Sequence, residues 1–262
     1  MNLEHITHQV AKVAREVGSF IRKERESFSY EKVEFKKSRS DLVSYVDKGA
    51  ETRILAGIGS LIPEAGYITE EQMTSQEEKE YTWIIDPLDG TTNFVHGIPN
   101  YCVSIALMYQ GEVVAGVVYE VANDECFYAW KGGGAYLNDH TISASKAAKI
   151  KDVVLATGFP YYNFEKLEEY LKILNQLMKD TQGLRRMGSA AADMAYVACG
   201  RYGGFFEYNL NSYDIAAGVI LVQEAGGVVT DFRGGTDYLF GREIIAGGSV
   251  HTELLEVVRS IW

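Results

Sequence analysis

Residues Trp83 to Phe94 read WIIDPLDGTTNF, and this segment carries the clearest chemistry in the chain. An apolar run, Trp83-Ile84-Ile85, leads directly into two carboxylates, Asp86 and Asp89. Pro87 fixes its own φ and biases Asp86 toward extended backbone, so Asp86 is expected to end a strand and Asp89-Gly90 to turn the chain. Two acids converging on a strand tip repel each other unless a cation or proton lies between them, and hard oxygen ligands of this kind suit Mg²⁺. If a helix starts at Gly90-Thr91-Thr92, its free N–H groups face the same spot and set an anion site beside the cation site. The alternative is a plain Asp-Gly turn with a solvated acid.

Other acids stand where they could join this pair. Asp47 closes DLVSYVD just ahead of a helix, Glu70 and Glu71 follow Ile68-Thr69, Glu207 closes GGFFE, and Asp214 follows Tyr213 at the start of the most apolar helix. Asp47 and Asp214 are equally the residue type an N-cap wants, and Glu70, Glu71 and Glu207 the type that faces solvent. His96 reads as a surface or packing residue. Arg185-Arg186 reads as a solvated pair, a dimer contact or a grip on a second phosphate. There is no GxxxxGK[ST], GxSxG or HExxH, and no GxGxxG after a strand, which removes the commonest nucleotide, serine-hydrolase and zinc-protease readings.

These residues need a scaffold of alternating elements. Ile6, Val10, Val13, Val17 and Ile21 recur at helical spacing, which predicts an amphipathic helix over about residues 3–26. A second helix is expected after Asp47. The runs TWIID, YCVSIALMY, VVAGVVY and ECFYAW, punctuated by DG, QG and GGG, predict a sheet over about residues 82–137. A strand at VVLAT, a helix over about residues 164–179 and a helix from Gly188 to near Gly200 follow. Strand GGFFE leads to helix DIAAGVILVQEAGG, stopped by Gly226-Gly227, then to VVTDF, IIAGG and a last helix. Helices and sheets in layers fit this order better than a bundle or a sandwich of sheets alone.

The chain has 262 residues, 47% hydrophobic and 23% charged, enough for a large core without disulfide or structural metal. Its 25 Lys+Arg against 36 Asp+Glu give a net charge of −11, a surface that repels phosphate backbones. The most basic stretch, Lys32 to Arg39, contains Glu34 and one aromatic, Phe35, so nucleic acid is not an expected partner. Cys102, Cys126 and Cys199 show no CxxC spacing, which points to a reducing compartment. The longest apolar run, Ile215 to Val222, stops at Gln223-Glu224, short of the ~20 residues of a membrane span. Glu and His interrupt the N-terminus where an export signal needs an apolar run, so a cytoplasmic location is expected.

WIIDPLDGTTNF and YDIAAGVILVQEAGGVV, with DLVSYVD and Glu70-Glu71 upstream in order, resemble the two signatures of the inositol monophosphatase family of Mg²⁺-dependent, lithium-sensitive phosphatases. The register is sustained from the N-terminal helix to about Gly248. The resemblance implies an α/β fold, a layered αβαβα sandwich with mixed sheets of the inositol monophosphatase and sugar phosphatase type. Residues 1–145 would form an N-terminal α+β lobe with the metal and phosphate signature, and residues 146–262 an α/β lobe supplying Asp214 and Glu207.

It implies two or three Mg²⁺ ions. Glu70, Asp86 and the Leu88 carbonyl would hold one, with Thr91 alongside. Asp86, Asp89 and Asp214 would hold a second, and a third would bind through Glu70. Asp47, Thr91 and Glu70 are the implied catalytic residues, Thr91 being oriented by Asp47 to take the proton of a metal-activated water. Asp89, Gly90, Thr91, Ala190, Glu207 and Asp214 are the implied substrate contacts, with Glu207 and the Ala190 backbone meeting ring hydroxyls.

The implied activity is hydrolysis of myo-inositol monophosphate by a homodimer. Relatives acting on adenosine 3′,5′-bisphosphate, fructose 1,6-bisphosphate, NADP or histidinol phosphate, and members tied to RNA-processing or transcription complexes, are the alternatives. Tyr213 stands where the family has Trp, and Thr69 where it commonly has Gly; neither departure removes a metal ligand.

Overall fold

In the computed structural model, which describes residues 1–28, 33–35, 42–160 and 163–262, the predicted N-terminal helix is α1 (Leu3–Glu26). Asn2 caps it by accepting from the His5 N–H, and Ile6, Val10, Val17 and Ile21 bury its apolar stripe. The stretch Lys32–Arg39, apart from residues 33–35, lies outside the described residues, as does Asp41. Strands β1 (Val33–Phe35) and β2 (Leu42–Ser44) pair antiparallel ahead of α2 (Tyr45–Ile58).

Next come β3 (Gly66–Thr69), β4 (Tyr81–Asp89) and the short α3 (Thr91–His96). The first large sheet is completed by β5 (Cys102–Tyr109), β6 (Glu112–Glu120), β7 (Glu125–Trp130), β8 (Gly134–Leu137) and β9 (His140–Thr141). Its seven strands lie in sequence order, with β3 and β4 parallel and the others antiparallel.

Beyond it run β10 (Val154–Thr157), α4 (Leu167–Asp180), β11 (Gly183–Arg185), α5 (Ala190–Ala198), β12 (Gly204–Tyr208), α6 (Ser212–Glu224), β13 (Val228–Thr230), β14 (Glu243–Gly247) and α7 (His251–Ile261). The second sheet has the order β11-β10-β12-β14-β13 and mixes parallel with antiparallel pairs.

Side-chain alternation sorts these elements into layers. Along β4, Ile85 packs with α1 and α2 residues such as Val17 and Ile54, while Ile84 joins Met194 of α5 and Ile220 of α6. In the second sheet, Phe205 and Ala246 share that α5–α6 cluster, while Phe206 and Ile245 meet Ile173 of α4 and Leu254 of α7. The order is therefore α1–α2, first sheet, α5–α6, second sheet, α4–α7, the expected αβαβα sandwich. Sheets buried on both faces explain why their strands read as unbroken apolar runs rather than alternating ones.

Boundaries differ in places. α2 begins at Tyr45, ahead of Asp47, and α4 at Leu167 rather than near Phe164. Strand β4 does not end at Asp86 but runs on to Asp89. Among the described residues no helix is long and apolar enough to cross a membrane, and all three cysteines are free thiols.

Candidate active site

Side chains three positions apart on a regular strand face opposite ways. On β4 the register changes: Asp86 opposes Ser104 and Asp89 opposes Cys102, so three steps along β4 match two along β5. This is a β-bulge, placed where Pro87 has no N–H to donate. The extra residue returns Asp86 and Asp89 to one face, and both line a cavity of about 300 Å³. Leu88 turns its side chain into the core and brings its carbonyl oxygen to 3.0 Å from Thr91 Oγ1. Gly90 then turns the chain at φ +95°, a left-handed conformation that suits glycine, and starts α3.

Asp47 and Asp214 reach the region by one shared device. Neither is an N-cap; the caps are Ser44 and Asn211, and each aspartate is the third helical residue of a capping box. Asp47 Oδ2 accepts from the Ser44 N–H at 2.8 Å and the Ser44 hydroxyl at 2.7 Å, while its Oδ1 accepts from Thr91 Oγ1 at 2.8 Å. Asp214 Oδ2 accepts from the Asn211 N–H at 2.6 Å. The helix start consumes one oxygen and leaves the other for the site. Asp47 is fully buried behind Thr91, whereas Asp214 lines the cavity.

Glu70 follows β3 and is positioned by a residue that sequence reasoning missed. Glu51, buried one turn after Asp47 on α2, accepts from the Thr69 hydroxyl at 2.8 Å, the Glu71 N–H at 2.9 Å and the Met73 N–H at 2.7 Å. Glu71 lies outside the cavity lining while Glu70 is part of it. The Asp47–Glu51 spacing, two acids four apart on one buried helix face, is the signal that marks it.

Asp89 is likewise held: its Oδ2 accepts from the Ser189 hydroxyl at 2.6 Å and the Ala191 N–H at 2.7 Å, at the start of α5. Asn93 closes the same wall by donating from Nδ2 to the carbonyls of Asn100 and Met187.

At the other end lie Glu207 of β12, Asp193 of α5 and the buried Ala190. A Cβ at Gly158 would stand 2.0 Å from both Glu207 carboxylate oxygens, so the absence of a side chain there makes room for this acid. Glu207 is buried, contrary to the solvent-facing alternative. Arg186 and Tyr213 also line the cavity; Arg185 and His96 do not, and both are exposed.

Among the described residues, six acids, Glu70, Asp86, Asp89, Asp193, Glu207 and Asp214, line the cavity beside a single cationic side chain, Arg186. Burial pushes Asp47 up to about 6, helped by the charge of Glu70 and opposed by the hydrogen bonds of Ser44 and Thr91. Asp89 is pushed up to about 6, again chiefly by burial, against the bonds from Ser189 and Ala191. Asp86 is raised well above the usual carboxylate range by burial and by the charges of Glu70, Asp89 and Asp214. Asp214 is raised by burial and by Asp89 and Glu70.

Among the described residues no three acid, His or Cys side chains already form a closed metal-holding group. The donor chemistry nevertheless fits a hard divalent cation. Buried oxygen ligands, one of them a backbone carbonyl, carry mutual repulsion that a cation relieves.

The sequence profile of the inositol monophosphatase family matches residues 2–262. An inositol-1-monophosphatase of Mesorhizobium japonicum is 44% identical over 225 residues, covering 85% of each chain. The Nus factor SuhB of Escherichia coli K12 is 41% identical over 237 residues, 90% of this chain and 88% of that one. The crystal structure of extragenic suppressor protein suhB from Bartonella henselae superposes with a TM-score of 0.90 at 38% identity, covering 97% of this chain and 98% of that one. Inositol monophosphatase from Anabaena gives a TM-score of 0.86 at 32% identity, covering 100% and 98%. With a match along its length, a shared five-layer architecture and an acid-lined cavity between the sheets, this chain belongs to the inositol monophosphatase family, whose chemistry is metal-dependent phosphomonoester hydrolysis.

Proposed function

We propose that the protein hydrolyses myo-inositol monophosphates to inositol and phosphate with two or three bound Mg²⁺ ions. The observation that carries this reading is Thr91, whose hydroxyl donates to the buried Asp47 carboxylate at the edge of the acid-lined cavity. Glu70, Asp86, the Leu88 carbonyl, Asp89 and Asp214 would hold the ions. When bound, these supply Lewis-acid activation of water and charge neutralisation at the leaving oxygen.

The chain's own groups do the rest. With its proton directed at Asp47 Oδ1, Thr91 Oγ1 presents a lone pair to the attacking water. It accepts that proton as its own passes to Asp47, a carboxylate that burial makes more basic than a free one. Gly90 and Thr91 N–H groups receive phosphate oxygens as the water–phosphorus bond forms and the ester bond breaks. Ala190 donates its backbone N–H, and Glu207 accepts from a ring hydroxyl, to hold the departing alcohol.

Phosphate release from inositol 1-phosphate, fructose 1,6-bisphosphate, adenosine 3′,5′-bisphosphate, NADP and histidinol phosphate, with and without Mg²⁺ and Li⁺, tests this. A preference for inositol phosphate that needs Mg²⁺ and is suppressed by Li⁺ is expected. Preference for another ester reassigns the substrate, and no cleavage in Mg²⁺ removes the catalytic reading.

A second reading draws on the Nus factor relatives: a role beside RNA-processing or transcription complexes. The net charge of −11 opposes unaided RNA binding, so such a role would run through protein contacts. An Asp86→Asn protein that lost phosphatase activity but kept the cellular phenotype would support it. A cytoplasmic homodimer, with lobes at 1–145 and 146–262, completes the proposal.

A further inference from the structure

Nearly every buried acid in the described structure has a visible occupation. Glu51 ties down the Glu70 turn, and Glu120 accepts from the N–H groups of Ala122 and Asn123 at the β6–β7 turn. Asp47 holds Thr91 and its own helix start. Asp193 differs. It is 1% exposed and lines the cavity, yet among the described residues its Oδ1 has no hydrogen-bond partner. It does not cap its helix either, because Ser189 is the N-cap and accepts from the Ala192 N–H. It is also the one charged residue of α5, AAADMAYVA, in a helix otherwise packed into the central apolar cluster.

Burying a polar oxygen without a partner costs free energy that an apolar residue at the same place would not. Its charged surroundings are Asp89, Glu207 and Arg186, the first two of its own sign. Two neighbouring carboxylates, both acceptors when ionised, ask for a ligand that brings donors. A phosphate group brings none, whereas a polyol brings several O–H groups. We propose that Asp193 is a specificity residue that accepts hydrogen bonds from hydroxyls of the leaving polyol, acting beside Glu207. This rests on the phosphatase reading above and extends the alcohol subsite from β12 to α5.

The test compares full-length wild type with Asp193→Ala and Asp193→Asn in saturating Mg²⁺. It reads kcat and KM for myo-inositol 1-phosphate and for 4-nitrophenyl phosphate, whose leaving group has no such hydroxyls. The ratio of kcat/KM between the two esters is expected to fall about tenfold or more in Asp193→Ala, mainly through KM, and less in Asp193→Asn, which keeps an acceptor oxygen. Unfolding temperature without substrate supplies the second readout. Asp193→Asn should hold or raise it at pH 8, because the variant removes a buried charge.

Equal losses on both esters, or an unchanged ratio with a lowered unfolding temperature, would show a purely structural residue and overturn the inference. If wild type ignores myo-inositol 1-phosphate but cleaves glycerol 2-phosphate or a sugar phosphate with the same Asp193 dependence, the substrate reading fails and this inference stands. If it cleaves only the aryl ester, the inference fails.

Discussion

The two ends of the cavity treat their carboxylates in opposite ways. At the β4 end, one oxygen of Asp89 and one of Asp214 are tied to backbone or hydroxyl donors, Asp86 Oδ1 accepts from the Leu88 N–H at 3.0 Å, and Glu70 sits on a turn pinned by Glu51. At the β12 end, no described residue donates a hydrogen bond to the side-chain carboxylate of Glu207 or to Oδ1 of Asp193. Anchored acids keep their geometry without a ligand, which suits cations that demand near-fixed coordination. Unanchored acids leave their satisfaction to whatever binds, which suits choosing among alcohols. Rigidity for chemistry and unmet hydrogen bonding for selection are thus divided along one cavity.

The contrast can be broken most forcefully at Asp86. Asp86→Asn should lower kcat/KM about a thousandfold or more, several kcal/mol of transition-state stabilisation, in a phosphate-release assay. A loss below tenfold would mean that the anchored end is not the metal site. Thr91→Val should cost about a hundredfold or more in kcat, with Thr91→Ser recovering most of it, because only the hydroxyl links water to Asp47.

Glu51→Gln probes anchoring alone. The half-saturating Mg²⁺ concentration should rise about 10–100-fold while kcat returns at high Mg²⁺, as expected when only a ligand's support is weakened. At the unanchored end, Glu207→Gln should raise KM for inositol phosphate about tenfold with a smaller change in kcat.

The smallest effect sharpens the electrostatic side. Asp47 and Asp89, pushed up to about 6, stay protonated in the folded protein at a pH where the unfolded chain, at 3.8, has already ionised. Without metal, the contribution of these two groups to stability is therefore full below about pH 4 and is lost as pH rises through about 6. Mg²⁺ selects the ionised set, so the rise in unfolding temperature on adding it should be at least about 2–4 °C greater at pH 8 than at pH 5.

Much of this was legible in the residues, for identifiable reasons. The helical stripe of α1 and the unbroken strands of the first sheet report burial directly. The layer order came instead through the family resemblance, because periodicity says which face is apolar and not what covers it. The fixed φ of Pro87 and the Asp89-Gly90 turn predict a strand end at Asp86; instead the loss of one ladder donor at Pro87 merely bulges β4, and pairing resumes at Asp89. Asp47 and Asp214 were weighed as N-caps, although Ser44 and Asn211 three residues earlier carried the capping-box pattern. The bonds from Ser189 and Ala191 to Asp89 join residues a hundred positions apart and exist only after α5 docks. Asp193 left one trace, a lone acid in an alanine-rich apolar helix, which spacing rules do not flag.

The bulge in β4 also constrains how such a protein can diverge. Removing one residue between Asp86 and Asp89 would restore a regular register with the acids two apart on one face, but it would take away Pro87 or Leu88, displace the carbonyl that lies beside the Thr91 hydroxyl and pull Gly90 and α3 one step out of place. Adding one would have the same disruptive effect. Substitutions within Pro87-Leu88 are open to gradual trial, but insertions and deletions there are not. The length of this segment is therefore inherited as strictly as the identity of its acids.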